Sequence, residues 1–264
     1  MLDWYPLPIQ RNCDESGTLL YDEIGCAPNK INNGFDNCPI SYNCSNYHLP
    51  KQGCLFEKHV YKDGETLNGT NPCNNCTCSN TGKNGSKIEC HSPRIDRIHL
   101  GPGPVIFPNC YYSYDLNKCY SNRKCPPFKN VAVCVVNHKG YIEGEKFQAP
   151  DRCLDCVCQK GYSGKFVEPF CRKKRCDVEI RYSKQIVDNC APIYFKNPLC
   201  CPYDFICPSN SKIEHLVKYN STNGEKCKFG SQTYNQSDTL DLVNKYNVTF
   251  NCRCSIPPLL TCLG

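Results

Sequence analysis

The chain has 264 residues, of which 26 are cysteine, one is methionine and one is tryptophan, and 31 basic against 25 acidic side chains leave a net charge of +6. With 20 prolines and 17 glycines interrupting every stretch, this composition excludes one large hydrophobic core and predicts several small, loop-rich modules stapled by disulfides. The charge excess is too modest to suggest a nucleic-acid partner.

Taken in chain order, Met1–Pro6 lacks the basic and apolar regions of a signal peptide. A leader is therefore expected to have been removed, or the chain to be part of a longer one. Trp4 and Tyr5, with Leu7 and Ile9, lie in a proline-spaced, extended segment. Cys13, Cys26, Cys38 and Cys44 follow. Cys54, Cys73, Cys76 and Cys78 then form the string C-x18-C-x2-C-x-C. Residues 100–116 make a second apolar loop, with Val105, Ile106, Phe107, Tyr111 and Tyr112. These apolar side chains either cover neighbouring disulfides or stand exposed as anchors for a protein partner.

The alternating run Val131–Val136 reads as a strand. It leads into Cys134, Cys153, Cys156 and Cys158, which repeat the earlier string 80 residues on with no slippage. A third, weaker copy runs from Cys227 to Cys252-Arg253-Cys254. Seven positions after each first cysteine comes a tyrosine and a short turn with an acid: Tyr61 to Glu65, Tyr141 to Glu145 and Tyr234 to Asp238. A second string, C-x5-C, recurs at Cys38/Cys44, Cys119/Cys125 and Cys201/Cys207. Each unit therefore reads as a hairpin-bearing half followed by an extended half. No segment shows a convincing amphipathic helix, and Pro208–Lys226 is the expected flexible boundary.

Seven N-x-Ser/Thr sequons, at Asn43, Asn68, Asn75, Asn84, Asn220, Asn235 and Asn247, join the cysteines in predicting a secreted glycoprotein. No apolar run reaches the roughly 20 residues that span a bilayer. Cys73-x-x-Cys76 and Cys153-x-x-Cys156 match the redox C-x-x-C pattern, but a third cysteine follows each and no helix signal does. Structural disulfides are expected rather than redox or zinc chemistry. The six histidines are scattered without metal-ligand spacing, and no nucleophile elbow, phosphate loop or calcium loop occurs, so neither an enzyme nor a cofactor is expected. Arg172-Lys173-Lys174-Arg175 is the one dense basic run. It is expected to be a solvated hinge; a heparan-sulfate contact and a proprotein-convertase site are the functional alternatives.

The cysteine order resembles the von Willebrand factor type C family of small extracellular modules. Cys134 to Cys207 carries all ten cysteines of that pattern, including the adjacent pair Cys200-Cys201, and Cys54 to Cys125 carries eight. The resemblance implies an elongated, all-β, disulfide-rich tandem array with short antiparallel strands and little core. Its segments would be a half module at 1–50, modules at 51–128 and 129–209, and a half module at 210–264. It also implies the pairing. In the ten-cysteine module the pairs are Cys134–Cys158, Cys153–Cys200, Cys156–Cys171, Cys176–Cys201 and Cys190–Cys207. In the eight-cysteine module they are Cys54–Cys78, Cys76–Cys90, Cys110–Cys125 and Cys73–Cys119. At the ends they are Cys13–Cys38, Cys26–Cys44, Cys227–Cys254 and Cys252–Cys262.

The end halves are expected to fold alone or to belong to a longer array. The other possibility is that they dock, closing a ring or linking copies head to tail. By the same resemblance the leading function is a binding protein for a growth factor of the TGF-β/bone-morphogenetic-protein type. An extracellular-matrix or assembly component associating through its end halves, and a protease or immune-effector inhibitor, are the alternatives. Since each bridge over a loop of ~15–25 residues removes roughly 3 kcal/mol of unfolded-state entropy, the native form should survive heating but collapse in reductant. Circular dichroism melts with and without reductant check this; an unchanged melt in reductant would be the contrary result.

Overall fold

The computed structural model describes residues 17–30, 38–68, 74–80, 82, 85–91, 110–118, 122–149, 153–195, 200–219 and 224–264. Small antiparallel sheets dominate, as the composition predicts, and two helices occur. The chain divides into two compact units that do not follow the four expected segments. One is Leu49–Arg181. The other joins Met1–His48 to Tyr182–Gly264, bringing the first and last expected segments together and dividing the expected 129–209 module.

Nine disulfides are described: Cys26–Cys44, Cys54–Cys78, Cys76–Cys90, Cys110–Cys125, Cys134–Cys158, Cys156–Cys171, Cys190–Cys207, Cys227–Cys254 and Cys252–Cys262. Every one is a pair that the resemblance implies. Cys38, Cys153, Cys176, Cys200 and Cys201 are also half-cystines, whereas Cys13, Cys73 and Cys119 lie outside the described residues. No free cysteine is found among the described residues.

The repeated unit has one backbone design. Its hairpin pairs Cys54–Phe56 with His59–Tyr61, Val133–Val136 with Lys139–Ile142, and Lys226–Phe229 with Gln232–Asn235. The first cysteine faces the tyrosine across the ladder in each: Cys54 with Tyr61, Cys134 with Tyr141, Cys227 with Tyr234. After the tyrosine the chain must reverse, and the acid holds that reversal by accepting a backbone N–H. Glu65 takes the Lys62 amide at 2.6 Å, Glu145 the Ile142 amide at 2.8 Å and Asp238 the Asn235 amide at 2.8 Å. The residue before the acid is left-handed, at φ 83° for Gly64 and 92° for Gly144, a conformation that glycine adopts without steric cost. The third copy forces Ser237 to 78°. Its amide, like those of Gly64 and Gly144, donates to the last cysteine of the string (Cys254, Cys78 and Cys158), and the acid's carbonyl accepts that cysteine's N–H. The first and fourth cysteines then bond at Cα–Cα distances of 5.7, 5.7 and 5.6 Å, within the relaxed range.

In the 49–181 unit the copies stay small, with half-cystines supplying much of each core. Cys54, Cys76 and Cys78 pack with Phe56, Tyr61 and Leu67 in one, and Cys134, Cys156, Cys158 and Cys171 with Val136, Phe147 and Ala149 in the other. The expectation of little core fails in the other unit. There a six-stranded sheet runs in the order Asp204–Ile206, Ala191–Tyr194, Thr261–Leu263, Thr249–Arg253, Thr239–Asn244 and Ser211–Val217. Its one parallel pairing sets Ile193 beside Cys262 and Tyr194 beside Leu263, so the C-terminal strand continues the sheet of the preceding segment. Ala191, Ile193, Ile206, Phe229, Leu240, Leu242, Phe250 and Leu260 pack there around Cys227, Cys252, Cys254 and Cys262. The supposed flexible boundary contains the regular strand Ser211–Val217.

Two short helices occur within the all-β pattern, where the sequence shows no convincing amphipathic segment. Thr18–Glu23 buries Thr18, Leu19, Leu20 and Tyr21 within its six residues, too short to show a period. Val178–Val187 is longer; Val178, Tyr182 and Ile186, spaced four apart, make a stripe that Glu179, Arg181 and Lys184 obscure in sequence. Asp238 is 2% exposed and also accepts the Tyr219 amide at 2.7 Å, so Asp238→Ala leaves two amides without their carboxylate. A loss of roughly 2–4 kcal/mol is expected, larger than for Glu65→Ala at the exposed counterpart. Denaturant unfolding of both variants measures the difference.

Candidate functional site

The joint between the two chain ends is built around Tyr21. Its Oη donates to the Ile256 carbonyl at 3.0 Å and accepts the Leu259 N–H at 3.1 Å. Its ring stacks on Tyr42 at 4.8 Å and 25°, and the Tyr42 N–H donates to the Pro257 carbonyl at 2.8 Å. Leu19, Leu20 and Ile24 are buried beside it. Burial pushes the Tyr21 phenol far above the ordinary tyrosine range, because ionised oxygen has no water there. Prolines 257 and 258 lack N–H groups but leave their carbonyls free to serve the neighbours: Pro258 accepts the Lys228 N–H at 2.7 Å. The ends thus dock within one chain, so the expectation that each end half folds alone is corrected.

Next to the joint lies an open cleft of about 500 Å³. Ile24, Asn29, Tyr42 and His48 line it from the N-terminal segment, and Ile186, Asn189, Glu225, Lys228 and Leu259 from the C-terminal one. Its polar lining is one acid, one amine, the three amides Asn29, Asn43 and Asn189, the Ser45 hydroxyl and the His48 imidazole, set among apolar walls. Among the described residues no group of three or more His, Cys, Asp or Glu side chains could hold a metal ion.

Apolar side chains also stand exposed on well-stapled strands. Val133 and Val135 project from the middle hairpin, and Phe195 stacks on Tyr203 at 4.0 Å while still 65% exposed. Tyr246 and Val248 cap the turn between the strands Thr239–Asn244 and Thr249–Arg253. Sequence alternation places Val133–Val136 in a strand, but it cannot say which of its faces is covered.

The residues singled out by sequence are placed unevenly. Trp4, Tyr5, Val105, Ile106 and Phe107 lie outside the described residues. Tyr111 lies in the strand Tyr111–Ser113, half-buried with its ring 5.4 Å from Phe128, so it packs inside its own module; burial raises its phenol. Tyr112 is in the same strand, and its side chain is outside the described residues. The basic run is not one exposed field. Arg172 and Lys173 belong to the strand Cys171–Lys173, and the Lys174 N–H donates to the Cys153 carbonyl at 2.8 Å. Arg175 bonds Glu57 at 2.5 Å, approaches Asp177 at 3.4 Å and lies over the Phe56 ring. Arg175 is thus committed to Glu57, Asp177 and Phe56 rather than held out in solvent. Of the sequons, Asn43, Asn68, Asn75 and Asn247 are exposed, Asn235 is half-buried, and Asn84 and Asn220 lie outside the described residues.

Sequence reasoning missed Tyr21 and Tyr42 because their partners lie more than 200 positions away; Tyr21 and Ile256 are 235 apart. Compared with known proteins, the chain matches no family model and no solved structure.

Tyr21→Phe strands a buried carbonyl and a buried amide, so residues 18–24 should lose hydrogen-exchange protection while the 49–181 unit keeps its own. Tyr21's raised pKa adds a pH window. The joint is intact below the unfolded-state value of about 10 and weakens as pH climbs from there towards the folded-state value. Cleavage of the N-terminal segment by an alkaline protease, in the native protein and in the Tyr21→Phe variant, reads both effects; equal protection at residues 18–24 would contradict this account of the joint.

Proposed function

We propose that the chain is a secreted extracellular binding protein whose disulfide-stapled modules recognise another extracellular protein, best read as a growth factor of the TGF-β/bone-morphogenetic-protein type, and modulate its signalling. Abundant disulfides, with no helix among the described residues long and apolar enough to cross a membrane, are consistent with an extracellular protein. The observation that carries the reading is the display of apolar side chains on rigid frames. Val133, Val135, Phe195 and Tyr246 are each more than 60% exposed although half-cystines nearby are buried. An aliphatic or aromatic group held rigid in solvent costs little conformational entropy on binding, which is the economy of a recognition surface. The growth-factor class rests on the resemblance of the cysteine pattern alone.

The assembly reading is less well served, because the two end segments satisfy each other within one chain through Tyr21 and Tyr42. Head-to-tail association would have to break that joint. The inhibitor reading centres on the 100–109 loop, which lies outside the described residues.

The test is binding of the oxidised full chain to a panel of immobilised TGF-β- and bone-morphogenetic-protein-type dimers. Saturable binding to at least one, abolished by reduction, is expected. Failure to bind any of them would overturn the growth-factor reading, and inhibition of a protease panel would then favour the inhibitor.

A further inference from the structure

The same hairpin occurs three times, and its outward face differs in each. On the face opposite the cysteine and tyrosine, the first copy carries Leu55 across from Val60; Leu55 is 9% exposed and Val60 half-exposed. The last carries Lys226 and Lys228, both exposed, as their chemistry prefers. The middle copy carries Val133 across from Ile142 and Val135 across from Gly140, and the two valines are 63% and 64% exposed. Two adjacent β-branched side chains stand in water where one relative is covered and the other is polar. Gly140, across the ladder from Val135, has no side chain to cover the strip, and a Cβ there would meet Val133 Cγ1 at 3.7 Å.

The turns give the second difference. Glu57 and Lys58 have φ of 49° and 64°; Asn137 and His138 have 46° and 64°, the same two-residue reversal. In such a turn the first central N–H points out of the ladder. In the first copy Glu57 N–H donates to Glu179 Oε2 at 2.8 Å. Glu179 is 2% exposed at the start of the helix Val178–Val187, and the next residue, Ile180, packs against the cluster of Cys54 and Phe56. In the last copy Gly230 N–H donates to the Asn189 carbonyl at 3.0 Å and the Gly230 carbonyl accepts Asn189 Nδ2 at 3.3 Å. In the middle copy Asn137 is exposed and its N–H has no partner among the described residues.

We infer that the Val133–Ile142 hairpin is a docking site for a partner protein that presents a carboxylate followed by an aliphatic residue at the start of a helix. The carboxylate bonds the Asn137 N–H as Glu179 bonds that of Glu57, and the aliphatic group covers Val133 and Val135. Charge agrees with this occupant. His138 and Lys139 stand at the open turn, matching Lys58 and His59 beside the turn that Glu179 already caps. The inference rests on the protein-binding reading above and gives that reading a surface and a partner chemistry.

The probe is a synthetic peptide of residues 177–187, with blocked ends, titrated into the isotope-labelled, oxidised full chain. The expected result is saturating NMR shifts at the Asn137 and His138 amides and the Val133 and Val135 methyls. Millimolar affinity is expected, since a free peptide this short must order as it binds. A Glu179→Gln peptide should bind at least several-fold more weakly. Absence of shifts at the hairpin up to the peptide's solubility, or equal shifts with the Gln peptide, overturns the inference.

A Val133→Lys/Val135→Lys chain reproduces the outward face of the last hairpin, which folds with lysines there, and should lose the peptide shifts. In the growth-factor panel, this variant separates the two levels. Loss of at least tenfold in affinity with an amide spectrum unchanged outside residues 131–144 supports the site, and wild-type affinity overturns it while the binding function stands. If the unmodified chain binds no growth factor, that reading fails and the peptide titration alone decides the hairpin.

Discussion

A single covalent closure organises every copy of the repeat: the bond between the first and fourth cysteines of the string, across 24, 24 and 27 residues. It joins the first strand of the hairpin to the strand that follows the tyrosine turn. The loop it closes is long enough to remove about 3 kcal/mol of unfolded-state entropy in the chain-entropy model. Without it, a few apolar side chains could not hold strands of three or four residues. With it, the sulfur atoms become core. Cys76, Cys78, Cys158, Cys227 and Cys254 are wholly buried and occupy positions a larger domain would give to leucine. The acid that bonds the turn amide acts with the disulfide, because both fix the same reversal from opposite sides.

Once the backbone is fixed covalently, the outward residues are released from stabilising it. This explains how three hairpins of one design come to present Leu55, Val135 and Lys228 at one position. The first copy is buttressed by Glu179 and Ile180, and the last turn is held by Asn189, whereas the middle copy keeps its turn amide and valines in water. Function in such a scaffold lies in these differences rather than in the repeat itself.

The joint of the chain ends follows another rule. Its contacts include two hydrogen bonds to one phenol, the Tyr42 N–H bond to the Pro257 carbonyl, a stacked pair of tyrosines and a short buried helix, while the disulfide described for the N-terminal segment, Cys26–Cys44, lies inside that segment. What secures the joint is the burial of its apolar side chains, with the phenol, carbonyl and amide satisfying one another where water does not reach. The two tyrosines therefore carry an organisational weight that elsewhere falls to sulfur.

Sequence by itself determined the repeat, the disulfide class and the tyrosine–turn–acid device, because each depends on local spacing along a chain that can reverse only in a few ways. The placement of Glu65, Glu145 and Asp238 four residues after their tyrosines already contains their role as turn acceptors. It did not determine the six-stranded sheet or the Val178–Val187 helix, whose apolar stripe is interrupted by charges. Only the tertiary structure decided that Tyr21 meets Ile256 and Leu259 and that Val135 stays uncovered while Leu55 does not. Those outcomes are set by contacts between residues far apart in the chain, and no periodicity within either segment encodes what will come to lie against it.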